Sequence, residues 1–283
     1  MPELPEVEVT RLGLLDHLPG RTVAGIALSG HRLRIPMPHQ QLRRHILGQH
    51  IASIDRRAKY LLVRMAGGAV LVIHLGMTGK LGLLDGNAPR HRHDHLILTL
   101  DNGQEVRFND SRRFGAVMVW PAEEAKEAER VFAAREGIEP LGGEFTAGNL
   151  LRLADRKTAP VKSLLMDGRL VAGIGNIYAN EILFASRIHP LTPAGRLTVD
   201  NWQRVVAESK RILQLAIATG GSTIADFLGA TGHPGYFQLH FQVYGRGGLP
   251  CLLCEQLIIK TTSAGRATYF CPACQPPPRP RLL

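Results

Sequence analysis

The chain has 283 residues, enough for two domains or one large one around a sizeable core. Apolar residues make up 45% and charged residues 20%, which excludes a disordered chain, and no run approaches the roughly 20 apolar residues of a membrane-spanning helix. Lys and Arg number 34 against 24 Asp and Glu, a net charge of +10 that suits a polyanionic partner, with nucleic acid, an anionic membrane surface and a merely basic soluble protein all compatible.

The opening MPELPEVE is acidic and lacks an apolar block, so it reads as neither a secretory signal nor a transit peptide, and a cytosolic location is expected. A first helix is predicted from Pro5, with Val7, Leu14, Leu15 and Leu18 on one face. Strand-prone runs follow at Thr22 to Leu28, Ile51 to Met65, Ala69 to Leu75, Leu96 to Leu100, Glu105 to Phe108 and Ala116 to Trp120. Asp101-Asn102-Gly103 is a hairpin signal, because Asn-Gly accepts the positive φ of a tight turn. This half is a β-sheet or sandwich. Glu123 to Arg135 reads as a charged helix, and the breaker-rich stretch from Gly137 to Gly143 marks a boundary. Helices are then predicted at Ala147 to Lys157, Val161 to Met166, Asn176 to Arg187 and Val199 to Thr219. The closing QPPPRPRLL reads as a disordered basic tail.

Four cysteines form two pairs, Cys251-x-x-Cys254 and Cys271-x-x-Cys274, with 16 residues between them. A disulfide framework needs an oxidising compartment that nothing else supports, whereas the spacing suits four thiolates on one tetrahedral zinc ion. Between the pairs, residues 258–269 hold two β-prone runs around a small-residue turn, a β-hairpin finger with Arg266 near its tip. Such a finger either contacts nucleic acid or only folds a small lobe; four thiolates leave no open position for catalysis.

Gly173-Ile174-Gly175-Asn176 precedes a helix and offers backbone N–H groups to an anion. It is not a dinucleotide fingerprint, because Tyr178 occupies the third small-residue position. The glycines fit a phosphate contact or simply close helix packing. Arg107 to Gly115 places Arg112 and Arg113 beside Phe114, which suits base stacking or wedging, or equally a solvated turn beside a core aromatic.

Taken in order, Pro2-Glu3-Leu4-Pro5-Glu6-Val7-Glu8, His74-Leu75-Gly76-Met77-Thr78-Gly79, Asn109-Asp110 through Arg112-Arg113-Phe114-Gly115, Gly173 to Glu181 and the cysteine finger resemble the bacterial formamidopyrimidine-DNA glycosylases. The resemblance runs from residue 2 to about 275. Leu4 sets the chain apart from the endonuclease VIII branch, which reads Pro-Glu-Gly-Pro there. The resemblance implies an α+β fold: an N-terminal β-sandwich flanked by helices, then a helical helix–two-turn–helix domain with a four-cysteine zinc β-hairpin finger. The implied divisions are 1–135 catalytic, 136–146 hinge, 147–237 DNA-binding with a lesion-capping loop, 238–275 zinc finger and 276–283 tail.

It further implies a base-excision glycosylase with lyase activity on formamidopyrimidines and 8-oxoguanine opposite cytosine in duplex DNA. The site it implies has Pro2 as the nucleophile once Met1 is removed, Glu3 as general acid and base, Lys59 on the lesion phosphate and Glu6 in support. Met77, Arg112 and Phe114 would fill the gap left by the extruded nucleotide. His74, Lys157, Asn176, Tyr244 and Arg266 would contact phosphates, and Cys251, Cys254, Cys271 and Cys274 would hold one structural zinc. The implied protein is a monomer in the bacterial cytoplasm, associated with the nucleoid, with no nucleotide cofactor and no membrane. His233 and Ser111 depart from the family pattern, in the capping loop and in the turn before the arginines. An endonuclease VIII-like enzyme for oxidised pyrimidines and a non-catalytic DNA-binding module remain the alternatives.

Overall fold

The computed structural model describes residues 2–222 and 236–277. Met1, residues 223–235 of the capping loop expected over Ser222 to Tyr236, with His233, and the expected tail from residue 278 lie outside the described residues. Two compact units are present, Met1–Arg135 with Ile217–Gln238 and Glu136–Ala216 with Leu239–Leu283. Among the described residues, no helix is long and apolar enough to cross a membrane.

The first unit opens with α1 (Leu4–Leu15). It starts ahead of the expected Pro5 because Glu3 caps it, in a reciprocal capping box with Glu6 that satisfies N–H groups left open at a helix start. Val7 and Leu14 are buried as expected; Leu15 is exposed, and Leu18 is buried beyond the helix end. There follow β1 (Val23–Leu28), a short α2 (His39–His45) that no periodicity marks, and β2 (Ile51–Arg57). The strand-prone run from Ile51 to Met65 is a hairpin, since Ala58 adopts φ +53° and turns the chain into β3 (Tyr60–Met65). Next come β4 (Val70–His74), β5 (Lys80–Asp85), which sequence reading missed, β6 (Asp94–Leu100), β7 (Gln104–Asn109), β8 (Ala116–Trp120) and α3 (Ala125–Arg135). The Asn102-Gly103 signal lies in the turn between β6 and β7 as expected.

These strands make two antiparallel four-stranded sheets, ordered β1-β6-β7-β5 and β2-β3-β4-β8. Leu98, Val106 and Phe108 of one sheet and Leu61, Leu71 and Val117 of the other join a single buried core with Val7 and Leu14 of α1. Facing apolar rows from two sheets define a β-sandwich. Leu62, Val70 and Val72, on the opposite face of the second sheet, pack with Ala125 of α3.

The second unit is helical: α4 (Ala147–Ala154), α5 (Val161–Met166), α6 (Asn176–Ala185) and α7 (Val199–Ala218). Thr146 caps α4 by accepting from Asn149 N–H, a favoured N-terminal arrangement. Residues 177–184 of α6 are all buried, the mark of a helix surrounded by others. Antiparallel β9 (Ile259–Ser263) and β10 (Arg266–Phe270) then form the expected hairpin. Phe184, Val243 and Ile258 pack with Cys251 and Cys271 at its base.

Candidate functional site

In the first unit the α1 start is ordered by Glu6, which is buried together with Pro2 and Glu3. One Glu6 oxygen accepts Glu3 N–H at 2.9 Å; the other accepts the N–H and hydroxyl of Ser222 at 2.9 and 2.7 Å. Lys59 stands on the β2–β3 turn, one residue before Tyr60, whose strand partner is His74. The Tyr60 and His74 rings lie 4.7 Å apart. Burial, followed by the charges of Arg34 and Lys59, pushes His74 down to about 4, so the imidazole is neutral at physiological pH. Its Nδ1 accepts Gly76 N–H at 3.1 Å, which leaves the ring proton on Nε2 as the available donor.

Met77, Arg112 and Phe114 come from two loops that meet backbone to backbone. Gly76 has φ +70°, and a Cβ there would lie 2.4 Å from Gly115 N, so a larger residue would part the loops. The Arg112 guanidinium stacks 5.0 Å from the Phe114 ring centroid, and Phe114 is 46% exposed. A large aromatic left this open is available to a partner. Asp110, which sequence reading quoted without assigning a role, is fully buried beneath them. Ser111 lies in this exposed turn.

In the second unit Asn176 begins α6 after the Gly173-Ile174-Gly175 turn. Its Oδ1 is buried and has no hydrogen-bond partner among the described residues. Asn180, one turn on, donates to Asn176 O at 2.6 Å and accepts Tyr269 N–H of β10 at 2.8 Å, joining the helix start to the finger. Lys162 of α5, buried, donates from Nζ to Ala267 O and Thr268 Oγ1, both at 2.8 Å. The finger's far end is held by Gln275, which donates to Ile188 O and accepts Cys271 N–H. Arg266, exposed, opens β10 beside the Ala264-Gly265 turn. Tyr244 stacks edge-on against Tyr269 at 5.3 Å. Lys157 sits apart, exposed on the turn after α4.

Glu181 is a further residue that sequence reading quoted only as part of a motif. Its buried carboxylate accepts the N–H groups of Gln242, Val243 and Tyr244 at 2.9, 3.0 and 2.7 Å. Burial raises its pKa against the pull of these donors. The readable signal was a lone acid on an otherwise apolar helix face, which requires a polar partner.

The four cysteine sulfurs lie within 4.8 Å of one another, with Cys251–Cys274, Cys254–Cys271 and Cys254–Cys274 separations of 4.0, 3.4 and 3.5 Å. Tetrahedral zinc with Zn–S bonds of about 2.3 Å sets sulfurs about 3.8 Å apart, inside this range.

Family models match three segments of the chain: the formamidopyrimidine-DNA glycosylase N-terminal domain matches residues 1–117, its H2TH domain 137–227, and a zinc finger found in FPG and IleRS 248–277. The formamidopyrimidine-DNA glycosylase of Vibrio cholerae serotype O1 is 46% identical over 275 residues, covering 97% of this chain and 100% of the relative. The Shewanella loihica protein of that name is 47% identical over 276 residues, covering 98% and 100%. The chain belongs to the formamidopyrimidine-DNA glycosylase family. Among solved structures, wild-type Lactococcus lactis Fpg with N7-benzyl-Fapy-dG DNA superposes with a TM-score of 0.88 at 34% identity, covering 98% of this chain and 100% of that one. The Lactococcus lactis Fpg complex with abasic-site DNA gives 0.88 at 33% identity, covering 97% and 100%.

The finger of this family member takes one structural zinc. Burial and the neighbouring sulfurs push the Cys274 thiol up to about 12, so four adjacent thiolates need a divalent cation to be stable together. With all four positions filled by sulfur, the ion supports folding and leaves no site for substrate.

Proposed function

We propose that the chain is a bifunctional glycosylase and lyase that removes oxidised purines, namely formamidopyrimidines and 8-oxoguanine opposite cytosine, from duplex DNA. Full-length identity to glycosylases of that name carries the glycosylase activity. What supports the chemistry is the buried start of α1, where Pro2, Glu3 and Glu6 gather at the positive end of a helix. An α-amino group titrates near pH 8, more than two units below lysine, and the helix dipole favours its neutral form further. The Pro2 amine attacks C1′ and the base departs with a proton. Glu3 protonates the ring oxygen as the sugar opens to an iminium, the electron sink for β- and then δ-elimination of the flanking phosphates. Hydrolysis of the iminium frees Pro2 and releases the five-carbon sugar remnant as an unsaturated aldehyde, leaving a gap bearing phosphates at both ends. Met1 must be removed first, because it ties the same nitrogen into an amide.

On this reading residues 1–135 carry the chemistry, and residues 147–237 and 238–275 hold the duplex. Lys59, Asn176, Tyr244 and Arg266 take phosphates, as do Lys157 and neutral His74 through Nε2–H. Arg112 reads the orphaned base: cytosine offers adjacent N3 and O2 acceptors to a guanidinium fork, while adenine sets an amino donor beside N1. The enzyme acts as a monomer on chromosomal DNA in the bacterial cytoplasm.

The test is borohydride trapping on a duplex with one 8-oxoguanine opposite cytosine, using protein whose Met1 has been shown by mass to be absent. A covalent adduct on the Pro2 peptide is expected. An adduct on a lysine, or none, would overturn the assignment. A second reading, oxidised pyrimidines as substrates, has one observation behind it: Lactococcus lactis Fpg, 33% identical, has been solved with an oxidised pyrimidine in its DNA. Thymine glycol in the same assay compares the two.

A further inference from the structure

Asp110 is buried completely in the turn after β7, and its groups bind the Thr78 loop, the start of β6 at His93 and His95, and the far end of its own turn at Gly115. Oδ1 accepts the Thr78 hydroxyl at 2.5 Å and Oδ2 accepts Gly115 N–H at 2.7 Å. Its backbone N–H donates to His93 O at 3.0 Å, and its carbonyl lies 2.9 Å from His95 Nε2. Thr78 Oγ1, having donated its proton to Asp110, accepts Arg112 N–H at 3.1 Å. The hydroxyl of Thr78, the residue after Met77, therefore relays between the carboxylate and the backbone of Arg112. Arg113 takes φ +58°, a conformation that a residue with a Cβ holds only where its surroundings enforce it.

We infer that Asp110 and Thr78 are positioning residues that lock Met77, Arg112 and Phe114 into one preformed wedge. The inference rests on the filling role proposed for those three side chains. A wedge carried on free loops would have to order two backbone segments as it enters the stack, drawing on the binding free energy that extrudes the nucleotide. Here the ordering is done beforehand. The carboxylate ties the Gly115 end of the arginine loop to Thr78, the hydroxyl ties Arg112 to the Met77 loop, and the Gly76–Gly115 contact closes the join. Arg112 and Phe114 then arrive as a stacked pair.

Thr78→Val removes the hydroxyl at nearly constant shape, and Thr78→Ser restores it. Both are compared with wild type and Arg112→Ala on a duplex with 8-oxoguanine opposite cytosine or adenine, and on single-stranded DNA with an abasic site, where no gap has to be filled. Thr78→Val is expected to lose about tenfold in kcat/KM on the duplex, which is about 1.4 kcal/mol, and to narrow the preference for cytosine. Nicking of the single strand should stay at wild-type level, and Thr78→Ser should behave as wild type. Equal loss on both substrates, or no loss on either, would overturn the inference; if valine does not fold, Thr78→Ala is read by the same criteria. If Arg112→Ala leaves the cytosine preference intact, the filling role itself fails and the inference with it. If Arg112→Ala abolishes that preference while Thr78→Val does not touch it, only the positioning inference fails.

Discussion

Glu6 and Ser222, 216 residues apart in the chain, share one carboxylate oxygen: Glu6 Oε1 accepts both the N–H and the hydroxyl of Ser222. Its other oxygen holds Glu3 N–H, so one side chain bridges the proposed nucleophile's neighbour and the segment that leads into residue 223. Glu6→Gln keeps one acceptor but turns an NH2 group toward a donor N–H, on one side or the other. Leaving a buried donor unpaired costs about 1–3 kcal/mol. The expected outcome is a melting temperature lowered by several degrees and a fall in single-turnover rate of at least about tenfold. Wild-type rates with a normal melting temperature would mean that the bridge does not order the site.

His74 makes the stability of the fold depend on pH. Its pKa in the folded chain, about 4, lies below the ordinary value of about 6.5, so between these limits the unfolded chain binds the proton more tightly. Stability is then full above pH 6.5 and declines as pH falls toward 4, by up to roughly 3 kcal/mol. Denaturant titrations of wild type and His74→Asn across pH 4 to 8 check this; the asparagine variant should show a shallower acid slope. In DNA binding, neutral His74 should contribute no proton uptake at pH 7.

Glu181 should be among the most sensitive positions in the second unit. Glu181→Ala strands three backbone donors at once, and the expected loss is about 3 kcal/mol or more. Glu181→Gln retains an oxygen for Val243 and Tyr244 but presents its amide to Gln242 N–H, so it should be milder. Urea unfolding ranks the two, and DNA affinity should fall in the same order, because Tyr244 is set by these bonds.

Zinc removal separates folding from chemistry. A chelator should release one zinc per chain and abolish tight binding to lesion duplex, while the sandwich keeps its strand signal in circular dichroism. The salt dependence of whatever binding remains should flatten as the phosphate contact proposed for Arg266 is lost. Unchanged affinity in zinc-free protein would make the finger a purely structural lobe.

Much of this was legible in the residues, for identifiable reasons. The cysteine spacing, the Asn-Gly turn and α5 follow from local chemistry that tertiary contacts do not override. The β2–β3 turn was hidden because Ala58 carries no turn signature; its left-handed backbone is enforced by strand pairing on either side. β5 was hidden by Gly82 and by a Leu-Leu pair that breaks alternation. The proposed site residues, with Glu6 in support, came into view through motif resemblance, and the supports Asp110, Glu181 and Lys162 did not. Asp110, Glu181 and Lys162 each hold groups on a separate element of the chain, 32, 61 to 63 and 105 to 106 residues away, a relation that no periodicity records.

The anchoring of the β9–β10 hairpin has a consequence for transplantation. Its matching family model spans two protein families, yet the bonds that seat it here come from outside the cysteine module, from Lys162 and Asn180 on two helices, and from Gln275 at its edge. Moving residues 248–277 alone into another scaffold would carry the metal cage without its socket. A graft that keeps Arg266 aimed must bring the lysine and the asparagine with it, or rebuild two buried donors and an acceptor in their place.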